Sequence, residues 1–574
     1  MQTPEFDPTQ RRTLLDRLER IGNALPEPAL IFAILAALVV FVAAIGTAAG
    51  WRIQPVTPKV ELVQRLDTGG APVVDESGAP VMVPKLDARG KPEVALVGQT
   101  DKDGNPVYLE PRSLLTADGI YWMLSSMVRN FTGLPALGLV FVSMLGIGLA
   151  EKFGMFSALM RGLALVTPRK FLTPMIVLLG ANSSVASDAG YIILPPLAAA
   201  LYLAVNRPPI AGLAAAFAGV AGGFGGGVFP TAADGFLAGV ATQAAHIVDP
   251  AYPTVSPTHN LYFKALSSVL IMLAGWFVTD RIVEPRLKRL APGAGYDQAP
   301  SLADLALKAE EKRGLAMAAV VALVVLGAFA TAVLVPGAPL HGEGQPMLAN
   351  NTPAPGERSG DRWSQVIVPM ILLVFLLPGM AYGFVTGVLR TQKDFIEGIY
   401  HGIRTIVPVL AIAFFMGQFV NYFQYTGLDR MLAYAGGSLL VSADLPVPLL
   451  IVLFVLLVVA GDFAMSGMLS KFGVLAPIFI PMFMMVGMSP ELTTAAYRIG
   501  DSVVNIITPL NSYLLIILVA LQKYNKDAGL GSLISLMLPY SVVFGVLWTA
   551  FLLAWYWSGY PLGTEAPLVY FPSQ

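Results

Sequence analysis

The sequence predicts an all-α polytopic membrane protein with about nine transmembrane helices and two re-entrant helical hairpins in an inverted repeat. Three observations lead there. The 574-residue chain is 55% hydrophobic and only 13% charged, with a mean hydropathy of +0.67. Soluble proteins carry roughly 25% charged residues, so lipid has to cover much of this surface. Apolar runs long enough to cross a bilayer recur along the whole chain. Two stretches far apart in sequence share one pattern of polar tip, Leu-x-Pro and broken apolar segment.

Clear spans read as 27–50, 133–151, 263–283, 314–335, 364–389, 405–422 and 532–556. Segments 208–245 and 494–524 are apolar but interrupted by glycine, proline or polar residues. Segments 171–204 and 447–487 each read as two half-length apolar pieces around a polar tip, too short to cross separately. Non-helical backbone at membrane depth survives only when buried in protein or lining an aqueous cavity.

The chain reads as one membrane domain. It has a cytoplasmic N-terminus (1–26), extracytoplasmic loops 52–132 and 336–363, and a cytoplasmic loop 284–313. Hairpin 1 with its broken helix spans 171–245, and hairpin 2 with its broken helix spans 447–524. Orientation follows from short-loop Lys and Arg: Arg11, Arg12, Arg17 and Arg20 precede the first span, and Lys152, Arg169, Arg281, Arg286, Arg390 and Lys523 fall on the same side. The polar, amphipathic start MQTPEFDPTQRRTLLDRLERIG does not read as a cleavable signal peptide.

The repeat pairs GANSSVASDAGYIILPPLAAALY (180–202) with GDFAMSGMLSKFGVLAPIFIPMF (461–483). GGFGGGVFPTAAD (222–234) follows the first, and GDSVVNIITPLNSY (500–513) follows the second at similar spacing. With the first hairpin entering from the cytoplasm and the second from outside, this is the pattern of secondary transporters whose site lies between broken helices near the midplane. A small anionic organic solute is the expected cargo.

An ionisable group at membrane depth costs at least a few kcal/mol and marks a functional position by default. Asp188, Asp234, Asp462, Asp501, Arg498 and Lys471 qualify. Arg498, Asp501 and Asn505 share one helix face by their three- and four-residue spacing. A structural ion pair is the plain reading of Arg498 and Asp501. The functional one has the guanidinium fork hold a substrate carboxylate while Asp501 orients it or exchanges a proton. Asn182, Ser183, Ser184, Ser187 and Asp188 at the first tip, and Asp462 and Ser466 at the second, supply hard oxygens that suit a small cation; capping of interrupted helices is the alternative. A candidate sodium set is Asn182, Ser184, Asp188, Asp462 and Asn505. The glycines 222, 223, 225, 226 and 227 lack the strand context of a nucleotide loop and read as close packing or an unwound segment.

Zero cysteines rule out disulfides and thiolate chemistry. His246, His259, His341 and His401 fit no metal-ligand spacing, and no nucleophile elbow or P-loop is present. The expectation is therefore no enzyme, no bound cofactor and no nucleic-acid partner. An ion channel and a membrane-embedded enzyme are the alternatives from other classes.

Several segments resemble the AbgT family of p-aminobenzoyl-glutamate transporters and antimetabolite exporters: LDRLERIGNALPEP (15–28), LLTADGIYWMLSSMVRNFTGLPALGLVFVSMLGIGLAEKFG (114–154), NSSVASDAGYIILPPLAA (182–199) and LAPIFIPMFMMVGMSPELTTAAYRIGDSVVNIITPL (475–510). The resemblance runs in order from about 15 to 550. It implies a homodimer of nine-span protomers in a bacterial inner membrane, carrying p-aminobenzoyl-glutamate, a related aromatic carboxylate or a sulfonamide-type antimetabolite; a dicarboxylate carrier of the same fold is the nearest alternative. By motif, Asp188 matches a family acid implicated in transport, Arg498 and Asp501 the family's Arg–Asp pair, and Pro490 and Pro509 prolines near the substrate path. Asp462 stands where the family usually has Asn, Phe472 where it has Trp, Val503-Val504 where it has Ser-Thr, and Gly225-Gly226-Gly227 where it has Ser-Ala-Asn. The resemblance thus implies loss of oxygen ligands and gain of a carboxylate, which favours proton over sodium coupling through Asp188, Asp462 and Asp501. Phe472 is expected against the substrate ring, with Asn182, Ser183, Pro490, Arg498, Asp501 and Asn505 lining the binding site.

Overall fold

The computed structural model describes residues 27–60, 62–64, 82–84, 94–186, 189–290, 306–344, 360–463, 465, 467–511, 513–526 and 528–570. Eighteen helices organise it. They are α1 Pro28–Ala48, α2 Ala117–Thr132, α3 Pro135–Lys152, α4 Met155–Val166, α5 Leu172–Asn182, α6 Ala189–Ala204, α7 Pro209–Phe217, α8 Ala232–Ala245 and α9 Leu261–Val278. There follow α10 Ala309–Leu334, α11 Ile367–Thr386, α12 Gln392–Thr426, α13 Leu428–Ser442, α14 Val447–Gly461, α15 Met468–Met484, α16 Pro490–Val504, α17 Tyr513–Gln522 and α18 Leu530–Ser558. Short antiparallel pairs (Val56–Val60 with Val94–Gly98, Leu62–Gln64 with Met82–Pro84, Glu343–Gly344 with Gly360–Asp361) all lie in the two segments expected as extracytoplasmic loops.

Among the described residues, seven helical stretches are long and apolar enough to cross a membrane: 28–48, 117–152, 261–289, 309–334, 367–386, 392–426 and 530–558. One of them revises the sequence reading. Residues 117–132, expected as the end of a loop, form α2, which runs through a break at Gly133–Leu134 into α3. Asp118, Arg129 and Asn130 dilute its hydropathy, and Thr116 caps it by accepting the Gly119 N–H at 3.1 Å. Its polar face is used internally: Asn130 Nδ2 donates to Ser126 at 3.1 Å and to Gln418 of α12 at 3.0 Å. Helix α12 also starts earlier than its apolar run because a Thr391–Asp394 capping box opens it. Helix α13, between the runs 405–422 and 447–487, was not expected at all.

Both hairpins form as short helix pairs, α5/α6 with the 3-10 turn Ser183–Ala186 following α5, and α14/α15. Both broken segments form as short helices, α7/α8 and α16/α17, around interruptions at 223–231 and 505–511. The two repeats pack alike. In the first, α5 lies against the π-helical turn Ala218–Gly222 that ends α7; in the second, α14 lies against α16. Glycines permit both approaches. A Cβ on Gly180 would meet Val220 N at 2.7 Å, and one on Gly500 would meet Val455 O at 2.8 Å. A remaining group, α1, α2, α3, α10, α11 and α12, packs mainly within itself and meets the repeats chiefly where α3 touches α8. Gly148 and Gly402 bring α3 and α12 into backbone contact.

The C-terminal tail is an element the sequence reading passed over. Phe263 N–H donates to Leu562 O at 3.0 Å, Tyr570 N–H to Gly487 O at 2.9 Å, and Ser489 Oγ to Pro567 O at 2.6 Å. It straps the start of α16 to the start of α9.

Candidate functional site

Helix α16 begins at Pro490, with Ser489 accepting the Leu492 N–H at 3.0 Å. Its whole length is buried, polar side chains included. It crosses the interruption of the first repeat at Gly225, whose N–H donates to Ser502 Oγ at 2.7 Å. A Cβ there would meet Ser502 Oγ at 2.6 Å and Arg498 O at 2.8 Å. The glycine cluster is therefore the unwound, close-packed segment expected, with Gly227 at φ +133°.

Around this crossing lie two buried ionic clusters. In the first, Asp234 receives both Lys264 Nζ (2.6 Å) and Arg498 Nη2 (2.6 Å). Asp234 sits in the first turn of α8, where its Oδ2 also accepts from Thr231 N–H (2.7 Å) and Oγ1 (2.9 Å). Lys264 comes from α9, and Arg498 Nε donates to Asn260 Oδ1 at 3.1 Å. The Arg498–Asp234 contact is a close ion pair that lies off hydrogen-bond alignment. Two cations share one carboxylate, a formal excess of one positive charge.

In the second cluster Lys471, in the first turn of α15, lies between Asp462 and Asp501: Nζ contacts Asp462 Oδ1 and approaches Asp501 Oδ1 at 2.9 Å. Asn505 Nδ2 donates to Asp501 Oδ2 at 3.2 Å, and Tyr497 OH donates to Met468 O at 2.6 Å beside it. Asp462 Oδ2 is buried with no hydrogen-bond partner among the described residues. One cation stands between two carboxylates, a formal excess of one negative charge. The clusters are linked through α16, because Arg498 and Asp501 are three residues apart, about 4.5 Å along the axis.

This arrangement differs from the expected Arg498–Asp501 couple. The two share a face, but Arg498 takes Asp234 as its carboxylate and Asp501 takes Lys471 as its cation. Asp234 is 1% exposed. Phe472 is 1% exposed and packs on Tyr497 with ring centroids 4.7 Å apart. Asn182 spans the first interruption, its Oδ1 accepting from Val228 N–H at 2.8 Å and its Nδ2 donating to Leu178 O at 2.9 Å. Ser183 is buried and donates to Gly180 O at 2.7 Å; Ser184 is half-buried. Pro490 is the buried first residue of α16, and Pro509 lies in the second interruption. Of the proposed sodium oxygens, Asn182 Oδ1 and Asp462 Oδ1 already accept from donors within the chain. Ser187, Asp188 and Ser466 lie outside the described residues.

Lys264 and Asn260 were missed. Lys264 stands second in the apolar span 263–283 and passes for an interfacial flank, although an ionisable group there is itself a signal. Asn260 carries no sequence signal; only its contact with Arg498 identifies it. Glu491 was also missed. It is 2% exposed and accepts from Tyr252 OH at 2.8 Å.

A buried ionic site at the crossing of two broken helices, each preceded by a re-entrant hairpin, is the build of a multi-pass membrane transporter. The chain belongs to the AbgT putative transporter family, whose model matches residues 89–570. It is 35% identical over 463 residues to the p-aminobenzoyl-glutamate transport protein of Escherichia coli K12, covering 80% of this chain and 87% of that protein. The crystal structure of the Alcanivorax borkumensis YdaH transporter is similar at a TM-score of 0.76 and 31% identity, covering 94% of this chain and 100% of that one. Neisseria gonorrhoeae MtrF, described with a class of antimetabolite efflux pumps, is similar at a TM-score of 0.78 and 35% identity, covering 95% and 97%.

Proposed function

We propose that the protein is a secondary active transporter of p-aminobenzoyl-glutamate or related aromatic carboxylates, sulfonamide-type antimetabolites included, driven by the proton gradient. The observation that carries this is the pair of oppositely charged clusters set one turn apart on α16. The Arg498–Lys264–Asp234 cluster has a positive charge to spare for a substrate carboxylate. The Asp462–Lys471–Asp501 cluster has a negative charge to spare for a proton. Uncompensated buried charge is expensive, so each cluster favours its counter-charge, and the shared helix gives binding at one a route to the other. Identity to the E. coli protein supports the substrate, and likeness to MtrF supports antimetabolites. Phe472 and Tyr497, beside Lys471, form the apolar wall for the ring, with Asn505 and Pro490 in the surrounding shell. Asn182 and Ser183 hold the first tip, and Asp188 joins the coupling groups. The protomer works as a homodimer in a bacterial inner membrane with its N-terminus in the cytoplasm.

The test is flux of labelled p-aminobenzoyl-glutamate and of a sulfonamide in proteoliposomes, with proton and sodium gradients imposed separately. Proton-driven flux abolished in Arg498→Ala, and uncoupled from the gradient in Asp501→Asn, is the expected result. Sodium-driven flux with pH clamped, or conductance insensitive to solute countertransport, would overturn it.

A further inference from the structure

Lys471 does more in this site than balance charge. Its Nζ lies between Asp462 Oδ1 and Asp501 Oδ1, two hard oxygens, and the Tyr497 hydroxyl lies 3.4 Å from Asp501 Oδ1. Two carboxylates with a hydroxyl is the donor chemistry of a small cation, yet an ammonium carried by the chain already fills the space between the carboxylates. The lysine is held there from three directions. Its backbone N–H donates to Gly467 O at 3.1 Å, in the turn that Gly467 makes at φ +97°. Its side chain is 3% exposed. The Tyr497 ring lies 5.9 Å from Nζ.

We propose that Lys471 is the ion-selectivity residue of this cluster, a tethered cation occupying the place between Asp462 and Asp501 that an alkali cation would otherwise take. The proposal rests on the reading of this cluster as the coupling site. A bound sodium ion would bring a second full charge beside the ammonium, a few ångströms away in a low-dielectric interior, where like-charge repulsion amounts to several kcal/mol. A proton added to a carboxylate oxygen meets no such competitor, and Asp462 Oδ2 is turned away from the directed bonds of the cluster. The same argument predicts what removal of the ammonium does. Two carboxylates then face each other uncompensated, and the pocket becomes a receptor for a small monovalent cation.

The experiment compares the full-length wild type with Lys471→Met, Lys471→Arg and the double variant Lys471→Met/Asp462→Asn. The double variant keeps the cluster's net charge while lacking the ammonium, so it stands in if Lys471→Met alone fails to fold. Thermal unfolding in detergent is followed in sodium, potassium and choline chloride at equal ionic strength, and p-aminobenzoyl-glutamate flux is measured in the same salts. Wild type and Lys471→Arg should be indifferent to the salt cation. Lys471→Met, or the double variant, should gain a saturable sodium-dependent rise of a few degrees in melting temperature, as mass action requires of a ligand bound only to the folded state. Its flux should rise about tenfold or more in sodium, the equivalent of 1.4 kcal/mol. Sodium-indifferent melting in both methionine variants, or a wild type stabilised by sodium, would overturn the proposal. The coupling reading fails separately, if the Asp501→Asn variant keeps the gradient dependence of wild-type flux.

Discussion

The Gly225 N–H donates to Ser502 Oγ at 2.7 Å, which joins the interruption of the first repeat to the helix carrying Arg498 and Asp501. Both ionic clusters are built around this contact. Asp234 follows Gly225 by nine residues, and Arg498 precedes Ser502 by one turn. The glycine is required here for space, since a side chain would run into the Arg498 carbonyl as well as the serine.

Gly225→Ala should therefore destabilise the protein by about 1–3 kcal/mol, the usual range for overpacking, and depress flux. Ser502→Ala alone should cost about 1 kcal/mol for the lost hydrogen bond. The double variant should not recover, because Arg498 O still meets the new methyl at 2.8 Å. Melting midpoints of the three variants check this, and recovery in the double variant would show that the serine alone sets the spacing.

Lys264→Met should weaken binding of anionic substrate about tenfold, or 1.4 kcal/mol, while leaving folding largely intact. The substitution leaves Asp234 and Arg498 as a neutral pair and removes the surplus positive charge. A neutral substrate analogue should lose far less. Equilibrium binding of the two ligands to purified protein distinguishes a charge effect from general damage, which would weaken both alike.

Truncation after Gly559 should lower the melting temperature and the yield of folded protein. The tail buries Leu562, Ala566, Leu568 and Tyr570, and each large apolar side chain fully buried contributes about 1.5–3 kcal/mol. Extending the truncated chain again to residue 570 should restore it. Unchanged melting would mean that the strap contributes nothing to the seating of α16.

The absence of cysteine from the chain makes topology directly readable. Single variants Asp103→Cys and Lys308→Cys should label oppositely with an impermeant thiol reagent in intact cells. Asp103→Cys should react from outside, and Lys308→Cys only once the cytoplasmic face is opened. The reverse pattern would invert the proposed orientation.

Membrane solvation made much of this fold readable from the sequence alone. Lipid imposes long apolar stretches and penalises polar interruptions, so the spans, hairpins and broken helices stand out one-dimensionally. The same penalty marked Arg498, Asp501, Asp462, Lys471 and Asp234 as exceptional before any contact was known. Helix α2 escaped because it spends its polar residues on a partner, Asn130 on Gln418, which sequence cannot display. Partner choice was likewise invisible. Spacing of three residues puts Arg498 and Asp501 on one face, but charges pair across helices, and only the tertiary packing of α8 and α15 against α16 decides that Arg498 meets Asp234 and Asp501 meets Lys471. The sequence by itself determined which residues had to be buried together. The folded chain determined which counter-charge each received, because that depends on how separate elements pack, Asp234 with Arg498 from the other repeat and Lys471 with Asp501 from the neighbouring hairpin.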